Sequence, residues 1–592
     1  MLAGLVRPRR QRLHLRVAQA LARLAAEPGA LAPAIAHHLF EAGEAAETGE
    51  TVRYLTLAGD QAVAIAAVDE GLQLYEKALR IIARMAQGEE RRRWDGELHA
   101  KQGLAYASLG RWASARAELE TALAAHPEPD ARRAELLVQL CQSSFWSLDD
   151  PRDRLHRHAS EAVALAHVVA RPDLVAAALG WRANADSAAG NLSAAAAGFA
   201  SALAQADATA VAAPPFALQY FSLMLYWTGR LEDATQRGGE AIERFRQLND
   251  VAGLVTVLPS QGLALAARGR YEEAEQRFCE AVQLGRRYGT GTLLARAIAM
   301  SAGPHLDTFD YAEAEELAEE ARDLARTFEY APPLISATID LLFLGARCHD
   351  LRREAELTPQ VEAGMATARG WHAWGWRIRY SQARAEIARA RRDWSEALRL
   401  SDVTISQSQA AGRRRYEVMG LETGAAALSG LGRTREAMAR LRRAVDLART
   451  LADPALFLRP AAALLERAGD PTLLAEATQT AHRLADALPD QARLLRFQAA
   501  APVHRFFAGA RSPSPADQRA RRAAPGYPDH LSEREVEVLC LVAAGKSNLQ
   551  IAQALVLSIN TVERHLTHIL QKTGAANRTE AAAYAPRHGL TG

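Results

Sequence analysis

The stretch "SNLQIAQALVLSINTVERHLTHILQKTG", residues 547–574, carries the densest set of residues able to do chemistry in this 592-residue chain. On a helical wheel started at Val562, Arg564, Thr567 and Gln571 centre a polar face that Glu563 and His568 flank. An arginine can hold guanine O6 and N7 with two hydrogen bonds, a glutamate can accept from cytosine N4, and a threonine can offer its methyl to thymine. The chemistry open to such a face is the reading of base edges. Any surface helix is polar on its outer side, however, so the elements that hold this one decide the matter.

Those elements are legible from their ends. Capping boxes are predicted at Ser532 with Glu535, Ser547 with Gln550 and Asn577 with Glu580, Ser558 caps a further helix, and Gly545 and Gly574 stop the helices before them. Two helices, over 548–555 and 559–573, follow one another across the tight turn "VLS", which is helix-turn-helix spacing. In the second, Val562, Leu566 and Ile569 form an apolar stripe with His565 at its edge, expected to pack on Val536, Leu539 and Val542.

Upstream, a junction between two helical runs recurs at Gly110, Asp150, Gly190, Gly229, Gly269, Phe309, Asp350, Arg392, Gly432 and Asp470, at intervals of 39 to 42 residues. Five residues after nine of these ten comes an alanine: Ala115, Ala195, Ala234, Ala274, Ala314, Ala355, Ala397, Ala437 and Ala475. A small side chain at a fixed place in the second helix lets stacked helical hairpins approach closely. The pattern resembles tetratricopeptide-like repeats, lengthened to about 40 residues. The expected fold is all-α: a tetratricopeptide-like α-solenoid over 1–506, a Pro/Arg-rich linker over 507–530 and a four-helix domain over 531–592. The linker follows from "RSPSPADQRARRAAPGYPDH", which has no apolar periodicity.

Composition bounds the function. With 49% hydrophobic and 24% charged residues the chain reads as globular and soluble, and a net charge of +2 confines any nucleic-acid contact to a local face. The four cysteines, Cys141, Cys279, Cys348 and Cys540, form no C-x-x-C pair, which argues against a disulfide framework or structural zinc and fits a reducing cytoplasm. Neither a signal peptide nor a membrane span is expected. His37 and His38 would project about 100° apart on a helix and make a poor metal pair, so no metal is expected. No Ser-His-Asp or Cys-His arrangement can be assembled, and the chain is not expected to be an enzyme.

The terminal residues "LSEREVEVLCLVAAGKSNLQIAQALVLSINTVERHLTHILQKTGAANRTEAAAYA" resemble a LuxR-type helix-turn-helix domain across about 60 residues. Gln550 stands where Glu is common, and Thr573 where an apolar residue usually helps close the core. The resemblance implies that the 559–573 helix enters the major groove with Glu563, Arg564, Thr567 and His568 facing the bases. Lys546, Asn548, Ser558, Thr561 and Lys572 would hold phosphates, and the last helix would supply a homodimer contact through Ala581 and Tyr584.

It further implies double-stranded DNA and RNA polymerase or other transcription machinery as partners, with the solenoid taking an effector or a protein. "RLHLRVAQAL", "AIAHHLFEAGE" and "YEKALRI" resemble the stretch that follows the ATP-binding domain in large MalT-like regulators of the same family. The nearest phosphate-loop match, "CLVAAGKS", has Cys540 in place of the required glycine, so no nucleotide cofactor is expected. The rival reading is an interaction scaffold whose terminal domain dimerises or binds DNA without sequence preference.

Overall fold

In the computed structural model the described residues are 7–25, 29–65, 67–147, 152–367, 372–507, 527–531, 533–555 and 559–590, and among them there are helices and no strand. They form two compact units, residues 1–185 with 197–214 and residues 186–196 with 215–592. The first unit is built of hairpins around a core that includes Ile35, Leu39, Leu55, Tyr75 and Ile82.

The second unit shows how the repeat works. The Tyr271–Arg287 helix buries Tyr271, Ala274, Phe278, Ala281 and Gly285, a single stripe at helical spacing, and leaves its glutamates and arginines outside. Its hairpin partner, Val251–Ala267, is buried along nearly its whole length because it is sandwiched between neighbours. Small residues set the approach of the pair: a Cβ added at Gly262 would lie 2.8 Å from the Phe278 ring.

The predicted junctions are left-handed residues. Gly110, Gly190, Gly229, Gly269 and Gly432 have φ between 71° and 93°, and Phe309 and Arg392 adopt φ of 60° and 62°. This conformation costs a non-glycine residue about 1–2 kcal/mol. Phe309 offsets it by stacking its ring on Phe497 with centroids 6.0 Å apart. Two further junctions, Asp350 and Asp470, fall between helices as expected but are not themselves left-handed. The left-handed residue near 350 is His349 rather than Asp350, and Asp470 has φ −110° and instead caps a helix by accepting from the amides of Thr472 and Leu473. Asp150 lies outside the described residues.

The alanine at the fixed offset is buried at seven of the nine positions, whereas Ala355 and Ala475 are exposed. Helices Glu354–Thr367 and Pro471–Asp486 present Leu357, and Leu473 with Ala477, to the core instead. A second series of left-handed residues, at Ala170, Ala210, Asn249, Gly289, Glu329, His372, Gly412 and Ala452, marks the turns between successive hairpins.

Within the second unit the array returns on itself. Arg493, 1% exposed, donates from Nη2 to the Pro304 carbonyl and from Nε to Thr308 Oγ1, each at 3.1 Å. Arg496 Nε lies 2.7 Å from Asp310, and Trp374 Nε1 donates to the Ser187 carbonyl at 3.0 Å. These bonds join residues some 185 positions apart.

Candidate nucleic-acid interface

The four terminal helices are Glu533–Ala543, Asn548–Leu555, Ile559–Thr573 and Arg578–Arg587. Their core draws only on residues 531–590: Val536, Leu539 and Val542 of the first helix meet Val562, Leu566 and Ile569 of the third, as the wheel predicts. His565 is buried with them, 4% exposed. Gly545 and Gly574 take φ of 74° and 67° at the predicted helix ends.

The capping box at the second helix is formed in both directions, with the Ser547 amide donating to Gln550 Oε1 at 2.9 Å and the Gln550 amide donating to Ser547 Oγ at 3.3 Å. Glutamine therefore does here what glutamate would. At the last helix Asn577 accepts from the Glu580 amide, while the Glu580 carboxylate turns to the Ala576 amide. Thr573 satisfies its hydroxyl by donating to the Ile569 carbonyl at 2.7 Å, so a polar side chain is tolerated beside the core.

Glu535, whose predicted capping partner Ser532 lies outside the described residues, also serves a second element. It is 1% exposed, and its Oε2 accepts from Lys572 Nζ at 2.7 Å, tying the end of the third helix to the first. Lys572 is thus already engaged by a buried carboxylate, a use that its place at a helix end did not signal. Arg578 is a further residue whose role its place in the sequence does not show. Its guanidinium donates to Asn548 Oδ1 at 2.7 Å and to the Lys546 carbonyl, fixing the start of the second helix against the fourth.

Of the residues expected to face bases, Thr567 is exposed and His568 partly so. Lys546 is exposed and Asn548 half-buried. Ser532 and Ser558 lie outside the described residues, as do the side chains of Thr561, Glu563 and Arg564. The residues expected at a dimer contact lie inside the domain. Ala581 and Tyr584 are 0% and 5% exposed and belong to the domain's own core, where Tyr584 stacks on His588 and donates to Asp529. Exposed on that helix are Thr579, Glu580, Ala583, Pro586 and Arg587.

The third helix also meets the solenoid. It packs against Tyr311–Thr327, where His568 Nδ1 stands 3.9 Å from Glu316 Oε1. Glu313 on the same solenoid helix has its carboxyl pushed up to about 7 by burial and by the neighbouring charges of Glu316, Asp310 and Glu275.

No group of histidine, cysteine or acidic residues that could hold a metal occurs among the described residues. The sequence nevertheless understated the histidines: His14 joins His37 and His38, its Nδ1 2.9 Å from that of His38. Burial and the two other rings lower the pKa of His38. No helix among the described residues is long and apolar enough to cross a membrane.

Comparison with known proteins agrees with this geometry. Residues 529–585 match the family model described as bacterial regulatory proteins, luxR family. The transcriptional regulatory protein LiaR of Bacillus subtilis is 47% identical over 62 residues, which are 10% of this chain and 29% of that protein. The response regulator protein VraR of Staphylococcus aureus is 47% identical over 60 residues, again 10% and 29%. The chain therefore spans 29% of the length of these relatives.

Among solved structures, a Rap protein complexed with competence and sporulation factor aligns over 69% of this chain and 99% of its own, at 11% identity and a TM-score of 0.44. The apo quorum sensor NprR from B. thuringiensis aligns over 58% and 97%, at 12% identity and a TM-score of 0.38. Residues 529–585 are a LuxR-type helix-turn-helix DNA-binding domain of the bacterial regulatory proteins, carried after an array of helical hairpins.

Proposed function

We propose that the protein is a sequence-specific, non-enzymatic transcriptional regulator of the bacterial cytoplasm, in which the solenoid senses an effector or protein and the terminal domain reads duplex DNA. The observation that carries this reading is the core of residues 531–590, which buries Val562, Leu566 and Ile569 of Ile559–Thr573 and leaves Thr567 and Gln571 exposed. Glu563, Arg564, Thr567 and His568 would address bases, while Lys546, Asn548, Ser558 and Thr561 would hold phosphates. A homodimer on DNA would use the outward residues Thr579, Ala583 and Pro586, and bound regulator would engage RNA polymerase or other transcription machinery.

The approach of His568 to Glu316 supports a link between the two parts. A solenoid carboxylate stands beside the base-facing surface, so solenoid and DNA compete for the same helix, and any effector that alters the solenoid alters the competition. The test is duplex binding by the full chain and by residues 527–592 across a salt series. Binding that falls steeply with salt, with one sequence preferred over bulk DNA at physiological salt, supports the reading. Binding without preference would favour a scaffold with a non-specific terminal domain.

A further inference from the structure

The inner groove of the second unit holds a cavity of about 190 Å³. Every helix that lines it is the first of its hairpin, from Pro215–Thr228 to Arg414–Gly430. Its walls are apolar and aromatic, with Leu263, Met300, Phe343, Trp227, Trp374 and Trp376 among them. Into this lining the fold brings five arginines, Arg296, Arg347, Arg379, Arg413 and Arg415.

Three of the five have carboxylates. Arg347 pairs with Glu386 at 3.0 Å, Arg379 pairs with Asp340 at 2.6 Å, and Arg415 lies between Asp307 and Asp453. Arg296 and Arg413 have no ion-pair partner among the described residues. Arg296, 6% exposed, donates to the Thr256 carbonyl at 3.0 Å. Arg413 donates to the Gly375 carbonyl at 3.1 Å and lies over three rings, 4.6 Å from the centroid of Tyr416, 5.7 Å from Trp227 and 5.9 Å from Trp374. Burial lowers the pKa of both guanidinium groups. Desolvated cations without counter-charges are costly, and the cavity beside them is where a counter-charge can enter.

Charge and shape fix the ligand class. Five guanidinium groups stand against four carboxylates, an excess of one positive charge, which one monoanion neutralises and a triphosphate would overwhelm. A guanidinium lying over rings presents its N–H groups in its own plane, and those of Arg413 beyond the one given to Gly375 can form the fork that a carboxylate matches. Trp227 and Trp374, edge to face at 5.5 Å, offer flat walls for an aromatic body. We propose that this cavity is a binding site for a small aromatic monocarboxylate, with Arg413 as its anion-holding residue. This deepens the proposed sensing role of the solenoid and rests on it only for its meaning, since occupancy is measured without DNA.

The experiment uses the full chain and three probes, benzoate, naphthalene-2-carboxylate and indole-3-acetate, each against its neutral carboxamide. Binding is read by calorimetry and by quenching of tryptophan fluorescence. At least one acid should bind once per chain below millimolar Kd, at least tenfold more tightly than its amide, and that preference should vanish in Arg413→Met and partly survive in Arg413→Lys. Circular dichroism of both variants checks that they remain folded, and Arg413→Lys carries the test should Arg413→Met not fold. No binding by any acid, equal binding of acid and amide, or an acid preference unchanged in both variants would overturn the assignment. Failure here leaves DNA recognition standing, and failure of DNA recognition leaves this site standing.

Discussion

Replacing Lys572 by alanine distinguishes a phosphate anchor from a structural cation. The pair it makes with Glu535 is lopsided, the lysine side chain being 36% exposed and the glutamate 1%. Screening on the lysine side makes the Coulombic term small. The larger loss is that a buried carboxylate is deprived of its cation, which costs about 2–3 kcal/mol. A domain of about 60 residues has roughly 3–9 kcal/mol in total. Each kcal/mol shifts the melting temperature of so small a domain by roughly 4–8 °C, so Lys572→Ala should lower it by roughly 10–20 °C.

The assay is thermal unfolding of residues 527–592 by circular dichroism, with Glu535→Gln added as a second change. Neutralising the carboxylate in the Lys572→Ala background should recover part of the loss, a coupling that a double-mutant cycle reads directly. If Lys572→Ala melts within about 2 °C of the parent yet binds every duplex more weakly, the ammonium serves phosphate and the structural reasoning is refuted.

Arg564→Ala should relax the preferred base at one position of each half-site, by about 1–3 kcal/mol, and leave the other positions as they were. A selection on randomised duplexes that returns the parental motif would exclude Arg564 from base reading. Glu316→Gln should tighten DNA binding by the full chain severalfold while leaving the binding of residues 527–592, which lack the solenoid, as its reference value. Equal affinity of variant and parent would show that the contact with His568 does not compete with DNA.

For Glu313 the folded-state value of about 7 lies above its ordinary 4.5. The penalty for burying its charge is therefore absent below about pH 4.5 and grows until pH passes 7. Glu313→Gln should raise the melting temperature of the full chain at pH 8 and change it little at pH 4.5, and an equal effect at both would contradict the assigned titration. Calorimetry with ATP and magnesium should be silent, and saturable micromolar binding would reveal a nucleotide site.

What could be read in the sequence was what is local. Caps, left-handed glycines and a 3.6-residue period act within a few residues, so helix bounds such as 548–555 and 559–573, the Ser547–Gln550 box and the Val562–Leu566–Ile569 stripe are found where the spacing puts them. The alanine offset held wherever the hairpin kept its usual turn and failed at Ala355 and Ala475, whose helices enter with other residues inward.

Contacts between distant positions left no local mark. Arg493 reads as an ordinary surface arginine until Pro304 and Thr308 arrive from 185 and more residues away. The pairing of Lys572 with Glu535 and the burial of Tyr584 likewise depend on the assembled helices, whereas the anchoring and dimer roles expected for them follow from the family resemblance. The five arginines of the inner cavity come from separate repeats and meet only in the fold.

The central claim is that the terminal domain reads sequence in the setting of the whole chain. A binding selection on randomised duplexes with the full-length protein at physiological salt tests it most directly. The account predicts enrichment of a defined motif, two half-sites about 10 bp apart where a dimer binds, held at least about a thousandfold more tightly than bulk DNA. Recovery of unenriched sequence, with affinity set by salt alone, would contradict it.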